Sequence, residues 1–207
     1  MIFDNDGVLV DSEPHANRVL AGLLTECGVP TTYEESLREY VGSSIPRVRL
    51  IAEEQLGRTL PDDFEARYYD ALFERMRSGL EAIPGVREAV ESLALPSCVA
   101  SSGSHERIEL SLRLTGLLDL FRERLFSADD VEHGKPAPDL FRLAARSLGA
   151  APERCAVVED SPLGIEAANA AGMTSFGYAA STPWDRLREA SGGVFTTMAQ
   201  LPSLLGE

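Results

Sequence analysis

The sequence predicts an α/β fold, in which a doubly wound parallel sheet is interrupted after its first strand by an all-helical insert. From residue 84 onward, short apolar runs alternate with segments of helical spacing, which is typical of parallel strands joined by crossover helices. Residues 14–80 show helical spacing and no strand pattern. The chain also begins with a short apolar run that stops at two aspartates, Asp4 and Asp6.

The helical insert is predicted to span residues 14–81, and the α/β core residues 1–13 and 82–207. Pro14 suits the first turn of the first helix, which Gly28 ends. Further helices are predicted over residues 34–41, 47–56 and 61–80. The last of these carries a stripe of large side chains, interpreted as core rather than as a cofactor site: Phe64, Tyr68, Leu72, Phe73 and Met76.

The elements of the α/β core follow a break at Pro84-Gly85. A helix ending near residue 94 comes first. Strands are predicted over residues 97–101, 124–127, 155–158 and 174–178, and further helices over residues 105–114, 138–148, 163–171 and 184–189. The alternation supports right-handed crossovers within one parallel sheet.

The composition of the 207-residue chain bears on its class and on its partners. Hydrophobic residues make up 44% and charged residues 25%, as in ordinary globular proteins. The net charge of −14 argues against nucleic acid, which recruits basic surfaces. An anionic substrate would need a locally positive site, such as a metal ion with a lysine.

The cysteines and the hydropathy pattern bear on the compartment. Cys27, Cys98 and Cys155 form no CxxC pair and are odd in number. Cys98 and Cys155 lie in apolar runs, which favours buried thiols in a reducing compartment. No apolar run reaches the length of a membrane span. We therefore expect a cytoplasmic protein with no membrane partner, either a monomer or a weak dimer.

The pair Asp4 and Asp6 is the first candidate site. Residues i and i+2 of an extended strand, such as Asp4 and Asp6, point the same way, and Gly7 permits a sharp turn directly afterwards. Two neighbouring carboxylates favour a cation such as Mg²⁺, and they can serve as nucleophile and as proton-transfer group. The alternative interpretation is a solvated Asp-Asn-Asp-Gly turn.

Polar side chains also end the later strands. Ser101 and Ser102 suggest an anion cradle, or simply the cap of the next helix. Lys135 lies in a loop stiffened by prolines, where it suits a phosphate, or else it is an exposed lysine. Glu159 and Asp160 follow the most hydrophobic strand, and they are either metal ligands, solvated acids or a helix cap. Because parallel strand ends meet at one edge, we expect these groups to converge with Asp4 and Asp6.

In their order and spacing, these residues resemble the motifs of haloacid-dehalogenase-superfamily phosphatases of the branch with a helical cap. The first motif is matched by residues 4–12, the second by Ser101, the third by Lys135 in Gly-Lys-Pro, and the fourth by Glu159-Asp160. The resemblance covers essentially the whole chain and implies a Rossmann-like core. Dehalogenases themselves lack a second aspartate like Asp6, so the resemblance favours phosphoryl chemistry.

The resemblance also implies a mechanism and a ligand set. Asp4 would attack phosphorus and form an aspartyl phosphate, while Asp6 would protonate the leaving oxygen and then activate water. Mg²⁺ would be held by Asp4, the Asp6 carbonyl, Glu159 and Asp160. The phosphoryl oxygens would be bound by Ser101, Lys135 and the N–H groups of Asn5 and Ser102, and the helical insert would act as a lid.

The expected substrate is a small phosphate monoester, most simply a sugar phosphate. Specificity is expected from the helical insert, with these candidates, each of which is equally open to a surface or capping role: His15, Ser43, Ser44 and Arg47.

Two other functions stay open: a β-phosphoglucomutase-type phosphotransferase, and a catalytically silent regulatory or binding protein on the same fold. The mutase's cap histidine and arginine would fall on Ala16 and Ile45, which counts against the first. A phosphonatase would need a lysine in the insert, and residues 14–80 contain none.

Overall fold

The computed structural model describes residues 1–40, 43–93, 95–122 and 124–206. It divides into two compact units, which are the sheet unit, Met1–Asp11 with Glu81–Glu207, and the helical unit, Ser12–Leu80. Within the sheet unit, the residues just before and just after the helical insert in the sequence are hydrogen-bonded neighbours. The Asp11 N–H donates to the Glu81 carbonyl at 2.9 Å, and Val10 forms an antiparallel bridge with Ala82.

Across the described residues, the sheet unit contains one sheet of parallel strands in the order β3-β2-β1-β4-β5-β6. The strands are β1 Ile2–Phe3, β2 Cys98–Ser101, β3 Leu125–Ser127, β4 Ala156–Glu159, β5 Thr174–Tyr178 and β6 Gly193–Phe195. β1 lies between β2 and β4, with Ile2 opposite both Cys98 and Val157. The strand order reverses at β1 and β4, where open sheets of this type bind their ligands. The predicted doubly wound sheet is confirmed.

Successive strand residues point to opposite sides of the sheet, so both faces carry apolar side chains, and helices pack on both. Ile2 belongs to a buried cluster with Phe141 and Ala168, whereas Phe3 packs edge-to-face on Phe121 with ring centroids 5.9 Å apart. The helices of the sheet unit are α5 Val86–Ser92, α6 His105–Leu114, α7 Leu118–Phe121, α8 Asp139–Ser147, α9 Pro162–Ala170 and α10 Leu201–Leu204.

The helical unit contains four helices in its described residues: α1 Glu13–Glu26, α2 Tyr33–Tyr40, α3 Ile45–Leu56 and α4 Phe64–Arg77. Its interior includes Leu24, Leu72 and Met76, each fully buried. A buried polar contact joins two of the helices, since the Ser36 hydroxyl on α2 donates to Asn17 Oδ1 on α1 at 2.9 Å.

Several element predictions differ from the structure at short segments. The last predicted helix, over residues 184–189, is only a 3₁₀ turn, Trp184–Leu187. Neither β6 nor α7 was predicted, since runs of three or four residues are too short to display a period. The predicted helix ends at Val41 and at residue 94 lie outside the described residues.

Cys98 and Cys155 are free and buried, as predicted from their apolar runs, and Cys27 is free and buried as well. Within the described ranges, no helix combines the length and the apolar character that crossing a membrane requires.

Candidate active site

The turn after β1 positions the two leading aspartates. The Asp4 N–H donates to the Val158 carbonyl at 3.0 Å, so β1 stays paired with β4 up to the first carboxylate. The Asn5 carbonyl then accepts from the N–H groups of Leu9 and Val10 at 2.9 and 3.1 Å, which closes the turn. Gly7 takes a positive φ of 75° there, a conformation that glycine adopts without strain.

Lys135 joins the ends of three strands. Its Nζ donates to Asp4 Oδ1 at 2.6 Å, to the Ala100 carbonyl at 3.1 Å and to Glu159 Oε1. The lysine side chain is only 5% exposed, so it is a buried cation held by two carboxylates. Its ammonium also lies 5.0 Å from the centre of the Phe141 ring. The lysine is therefore buried among the strand ends, and the exposed-lysine alternative is wrong.

Burial dominates the electrostatics of this cluster. The pKa of the Asp4 carboxyl is raised to about 7, chiefly by burial; Lys135 acts in the opposite direction, and Glu159 and Asp6 add smaller upward contributions. For Lys135, burial lowers the pKa of the ammonium, but the carboxylates of Asp4 and Glu159 outweigh it, so this pKa is raised. Burial is thus the main cause of the raised pKa of Asp4, and the lysine opposes it.

Three acids lie close enough to share one metal ion. One carboxylate oxygen from each of Asp4, Glu159 and Asp160 lies within 4.8 Å of the other two. Oxygen ligands in this number suit a hard cation such as Mg²⁺. Three carboxylates meet here with the single ammonium of Lys135, so the donor set fits the predicted metal.

Two glycines leave room for these carboxylates. A Cβ on Gly7 would overlap the Asp160 carboxylate, and a Cβ on Gly164 in α9 would overlap the Glu159 carboxylate. Glu159 is further held by Ser161, whose hydroxyl donates to Glu159 Oε2 at 2.9 Å. The same hydroxyl oxygen caps α9 by accepting from the Gly164 N–H at 3.0 Å. The helix cap is thus Ser161 and not Asp160.

The predicted anion cradle after β2 has a buried side and an exposed side. Ser101 is 1% exposed, and its Oγ accepts from the Gly103 N–H at 3.1 Å, whereas Ser102 is exposed. Ser104 is the N-cap of α6 and accepts from the Arg107 N–H at 3.3 Å. Capping therefore falls to Ser104 and leaves Ser101 at the strand end, one residue after the carbonyl that Lys135 contacts.

The Asn5 side chain points into the protein rather than toward the acids. It is fully buried beside Ser111 of α6, with Asn5 Oδ1 and Ser111 Oγ 3.1 Å apart. The Ser111 hydroxyl has one proton, which the Ile108 carbonyl can accept at 2.9 Å. Turning the amide over would let the otherwise unsatisfied Nδ2 donate to Ser111 Oγ. Asn5 thereby anchors the turn between the two aspartates.

Asp6 has a partner that sequence reasoning missed. Asp6 Oδ1 accepts from Arg107 Nη2 at 2.8 Å, although the two residues are 101 positions apart. Arg107 is the third residue of α6. A cation in the first turn of a helix is disfavoured by the helix dipole, and this was the available signal that Arg107 has another role.

The specificity candidates lie in the helical unit. His15 is half-buried on α1, and Ser43 precedes Ser44, the N-cap residue of α3. Arg47 is exposed on α3. Their role in substrate choice stays a prediction.

The sheet order and the acids and lysine at its strand ends define an α/β enzyme with a site suited to a metal ion. The chain belongs to the haloacid dehalogenase-like hydrolase family, whose sequence model matches residues 1–172. The resemblance drawn from the motifs is therefore confirmed.

A characterised relative extends over nearly the whole chain. The 6-phosphogluconate phosphatase of Escherichia coli strain K12 is 31% identical over 205 residues, which is 99% of this chain and 93% of that protein. With the family match, this supports the predicted class of enzyme, a phosphatase.

Two solved structures share the fold. A haloacid dehalogenase-like protein of unknown function from Agrobacterium tumefaciens C58 is 36% identical with a TM-score of 0.89, covering 99% of this chain and 96% of that one. A Thermotoga maritima protein provisionally described as a β-phosphoglucomutase is 28% identical with a TM-score of 0.80, covering 99% and 97%. A protein provisionally described as a mutase thus shares this fold.

Proposed function

We propose that this chain is a Mg²⁺-dependent phosphatase that hydrolyses small phosphate monoesters, chiefly sugar phosphates, through an aspartyl phosphate on Asp4. The observation that carries the proposal is the contact of Lys135 Nζ with Asp4 Oδ1 at 2.6 Å, beside two further acids at the ends of parallel strands. A nucleophilic carboxylate, a cation for phosphoryl oxygens and a metal-binding acid cluster are the parts that phosphoryl transfer requires.

Asp4 is proposed to act as the nucleophile. Its carboxylate oxygen forms a bond to phosphorus while the bond from phosphorus to the leaving oxygen breaks. Water then attacks the phosphorus of the aspartyl phosphate, the bond to Asp4 breaks, and inorganic phosphate leaves. The burial of Asp4, which is 7% exposed, favours this role because a poorly hydrated carboxylate reacts more readily.

Asp6 is proposed to move the protons. It gives a proton to the leaving oxygen in the first step and takes one from the attacking water in the second. The phosphoryl oxygens are bound by Lys135, by the Ser101 hydroxyl and by the N–H groups of Asn5 and Ser102. These donors replace the solvation that the phosphoryl group loses on entering the site.

The metal is proposed to be held by Asp4, Glu159, Asp160 and the backbone carbonyl of Asp6. Mg²⁺, when bound, supplies positive charge that offsets the phosphoryl charge in a chain whose net charge is −14. The carboxylates provide the oxygen ligands for the cation, and the hydrogen bond from the Ser161 hydroxyl orients the Glu159 carboxylate.

The sugar-phosphate substrate class is supported by the relative named 6-phosphogluconate phosphatase. In this proposal, the substrate's non-reacting part is selected by residues of the helical unit, with these candidates: His15, Ser43, Ser44 and Arg47. The enzyme is proposed to work in the cytoplasm, consistent with its free, buried cysteines. It is proposed to be a monomer or a weak dimer.

A mutase is the second candidate, and the 28% identity to the Thermotoga maritima protein favours it. A mutase must hold a second phosphate while it returns the phosphoryl group to a sugar. The two positions expected to do so carry Ala16 and Ile45, and Ile45 is 8% exposed. Neither side chain binds an anion, so hydrolysis is the better-supported reaction.

The test is phosphate release from a panel of monophosphates: 6-phosphogluconate, glucose 6-phosphate, fructose 1-phosphate, β-glucose 1-phosphate and phosphoglycolate, each with Mg²⁺. The expected result is turnover of one or more of the sugar phosphates. Turnover of none would contradict the proposal, and preference for phosphoglycolate would contradict its substrate class.

A further inference from the structure

The ion pair between Arg107 and Asp6 lies inside the sheet unit rather than on an open surface. The Arg107 side chain is 15% exposed and that of Asp6 19%, with 2.8 Å between Nη2 and Oδ1. Withdrawing two charges from water is costly, so such a pair persists only with well-directed hydrogen bonds. Its geometry is therefore more constrained than that of the exposed ion pairs elsewhere on the helices.

The local backbone directs Arg107 at Asp6. Ser104 caps α6 by accepting from the Arg107 N–H, which fixes where the arginine side chain starts. Gly103 leaves space for the stem, since a Cβ at that position would lie 3.2 Å from Arg107 Cδ. The Gly103 N–H in turn donates to Ser101 Oγ at 3.1 Å, so the turn carrying Ser101 also directs the arginine.

We propose that Arg107 is a positioning residue for Asp6, whose guanidinium holds the Asp6 carboxylate in the orientation from which it serves the leaving group. This role rests on the proposed function, in which Asp6 transfers the protons. Because the contact engages Oδ1, it also sets the direction of the second oxygen, Oδ2. The planar guanidinium suits this task, since it constrains a carboxylate more strongly than an ammonium does.

The leaving group provides a way to test this role. When the bond from phosphorus to a sugar oxygen breaks, that oxygen needs a proton, which the Asp6 carboxyl gives. A p-nitrophenolate ion leaves without a proton, so its departure depends little on where Asp6 points. A misplaced Asp6 carboxyl therefore slows the hydrolysis of sugar phosphates more than that of p-nitrophenyl phosphate. A displacement of a catalytic group by about 1 Å can lower the rate roughly a hundredfold.

The experiment compares Arg107→Met and Arg107→Lys with the wild type and with Arg113→Met. Arg113 lies on the same helix, is exposed and pairs with Glu109, so it controls for loss of a cation from α6. Three quantities are measured. They are kcat and KM for the sugar phosphate of the panel that the wild type hydrolyses fastest, and the rate of p-nitrophenol release in the first turnover of p-nitrophenyl phosphate. Thermal melting checks that each variant is folded.

For Arg107→Met we expect kcat for the sugar phosphate to fall at least tenfold more than the first-turnover release of p-nitrophenol, with KM changed less than threefold. Arg107→Lys should recover part of the loss, and Arg113→Met should match the wild type. Should Arg107→Met not fold, Arg107→Lys carries the comparison, with the loss again larger for the sugar phosphate.

Equal losses on both substrates in a folded variant, or no loss, would overturn the positioning role and leave the phosphatase proposal standing. Failure of the wild type to hydrolyse any panel member would instead overturn the proposed function, and this role with it.

Discussion

The ammonium of Lys135 bridges the carboxylates of Asp4 and Glu159, which follow β1 and end β4 respectively. Because β1 and β4 are adjacent parallel strands, their ends bring the two acids together without help from any loop. The lysine offsets part of their repulsion, and the remaining negative charge favours a metal ion at the same place.

Activity is expected to depend on Mg²⁺ and on Asp160. Excess EDTA should abolish phosphate release, and added Mg²⁺ should restore it, because the acid cluster binds phosphate poorly without a cation. Asp160→Ala should raise the Mg²⁺ concentration for half-maximal activity by roughly tenfold or more. The matched control is Glu166→Ala, which removes an exposed acid from the following helix. Full activity in EDTA, or equal behaviour of the two variants, would refute the metal assignment.

Mg²⁺ affinity is expected to rise with pH. The pKa of the Asp4 carboxyl is raised to about 7 in the metal-free protein, so below that pH a proton occupies the group that the metal needs. Since proton and metal compete, binding should tighten as the pH rises through about 7. Calorimetric Mg²⁺ titrations at about pH 6 and about pH 8 measure this. Asp4→Asn should lose most of the pH dependence, and a wild-type affinity independent of pH would argue against the raised pKa.

Gly164→Ala is expected to damage the acid cluster although alanine favours helices. The new Cβ would overlap the Glu159 carboxylate, which should cost about 1–3 kcal/mol in the free energy of unfolding and weaken Mg²⁺ binding. Gly22→Ala in α1 is the control, because nothing lies within 4 Å of its Cβ. There the free energy of unfolding should increase by about 0.5–1 kcal/mol. Denaturant unfolding measures both, and identical responses would contradict the packing described around Glu159.

The hydrolase and the mutase differ in what accepts the phosphoryl group. With Ala16 and Ile45 at the expected second-phosphate positions, water should be the acceptor, and no bisphosphate activator should be needed. Product analysis of β-glucose 1-phosphate by ³¹P NMR, with and without glucose 1,6-bisphosphate, distinguishes them. Conversion to glucose 6-phosphate faster than release of inorganic phosphate would favour the mutase.

The sequence predicted the strand-end cluster because parallel strands place their ends at one edge, whatever the details of the loops. Lys135 and Glu159 could therefore be placed near Asp4 from the topology, and in the structure Lys135 Nζ contacts both Asp4 and Glu159. Arg107 was missed because its role depends on the direction of one helix, which no period or motif reports. The short strand β6 was missed for a simpler reason, since three residues carry too little pattern.

The role of Asp4 as nucleophile is tested most directly by trapping the intermediate. The wild type is mixed with Mg²⁺ and the best panel substrate, quenched in acid within the first turnovers, and digested for mass spectrometry. Asp4→Asn, which keeps the shape of the side chain, is treated in the same way, with circular dichroism to show that it is folded. We predict a phosphoryl group on Asp4 in the wild type, and neither phosphorylation nor multiple turnover in the variant. Phosphate release by folded Asp4→Asn at a rate near that of the wild type would contradict the account.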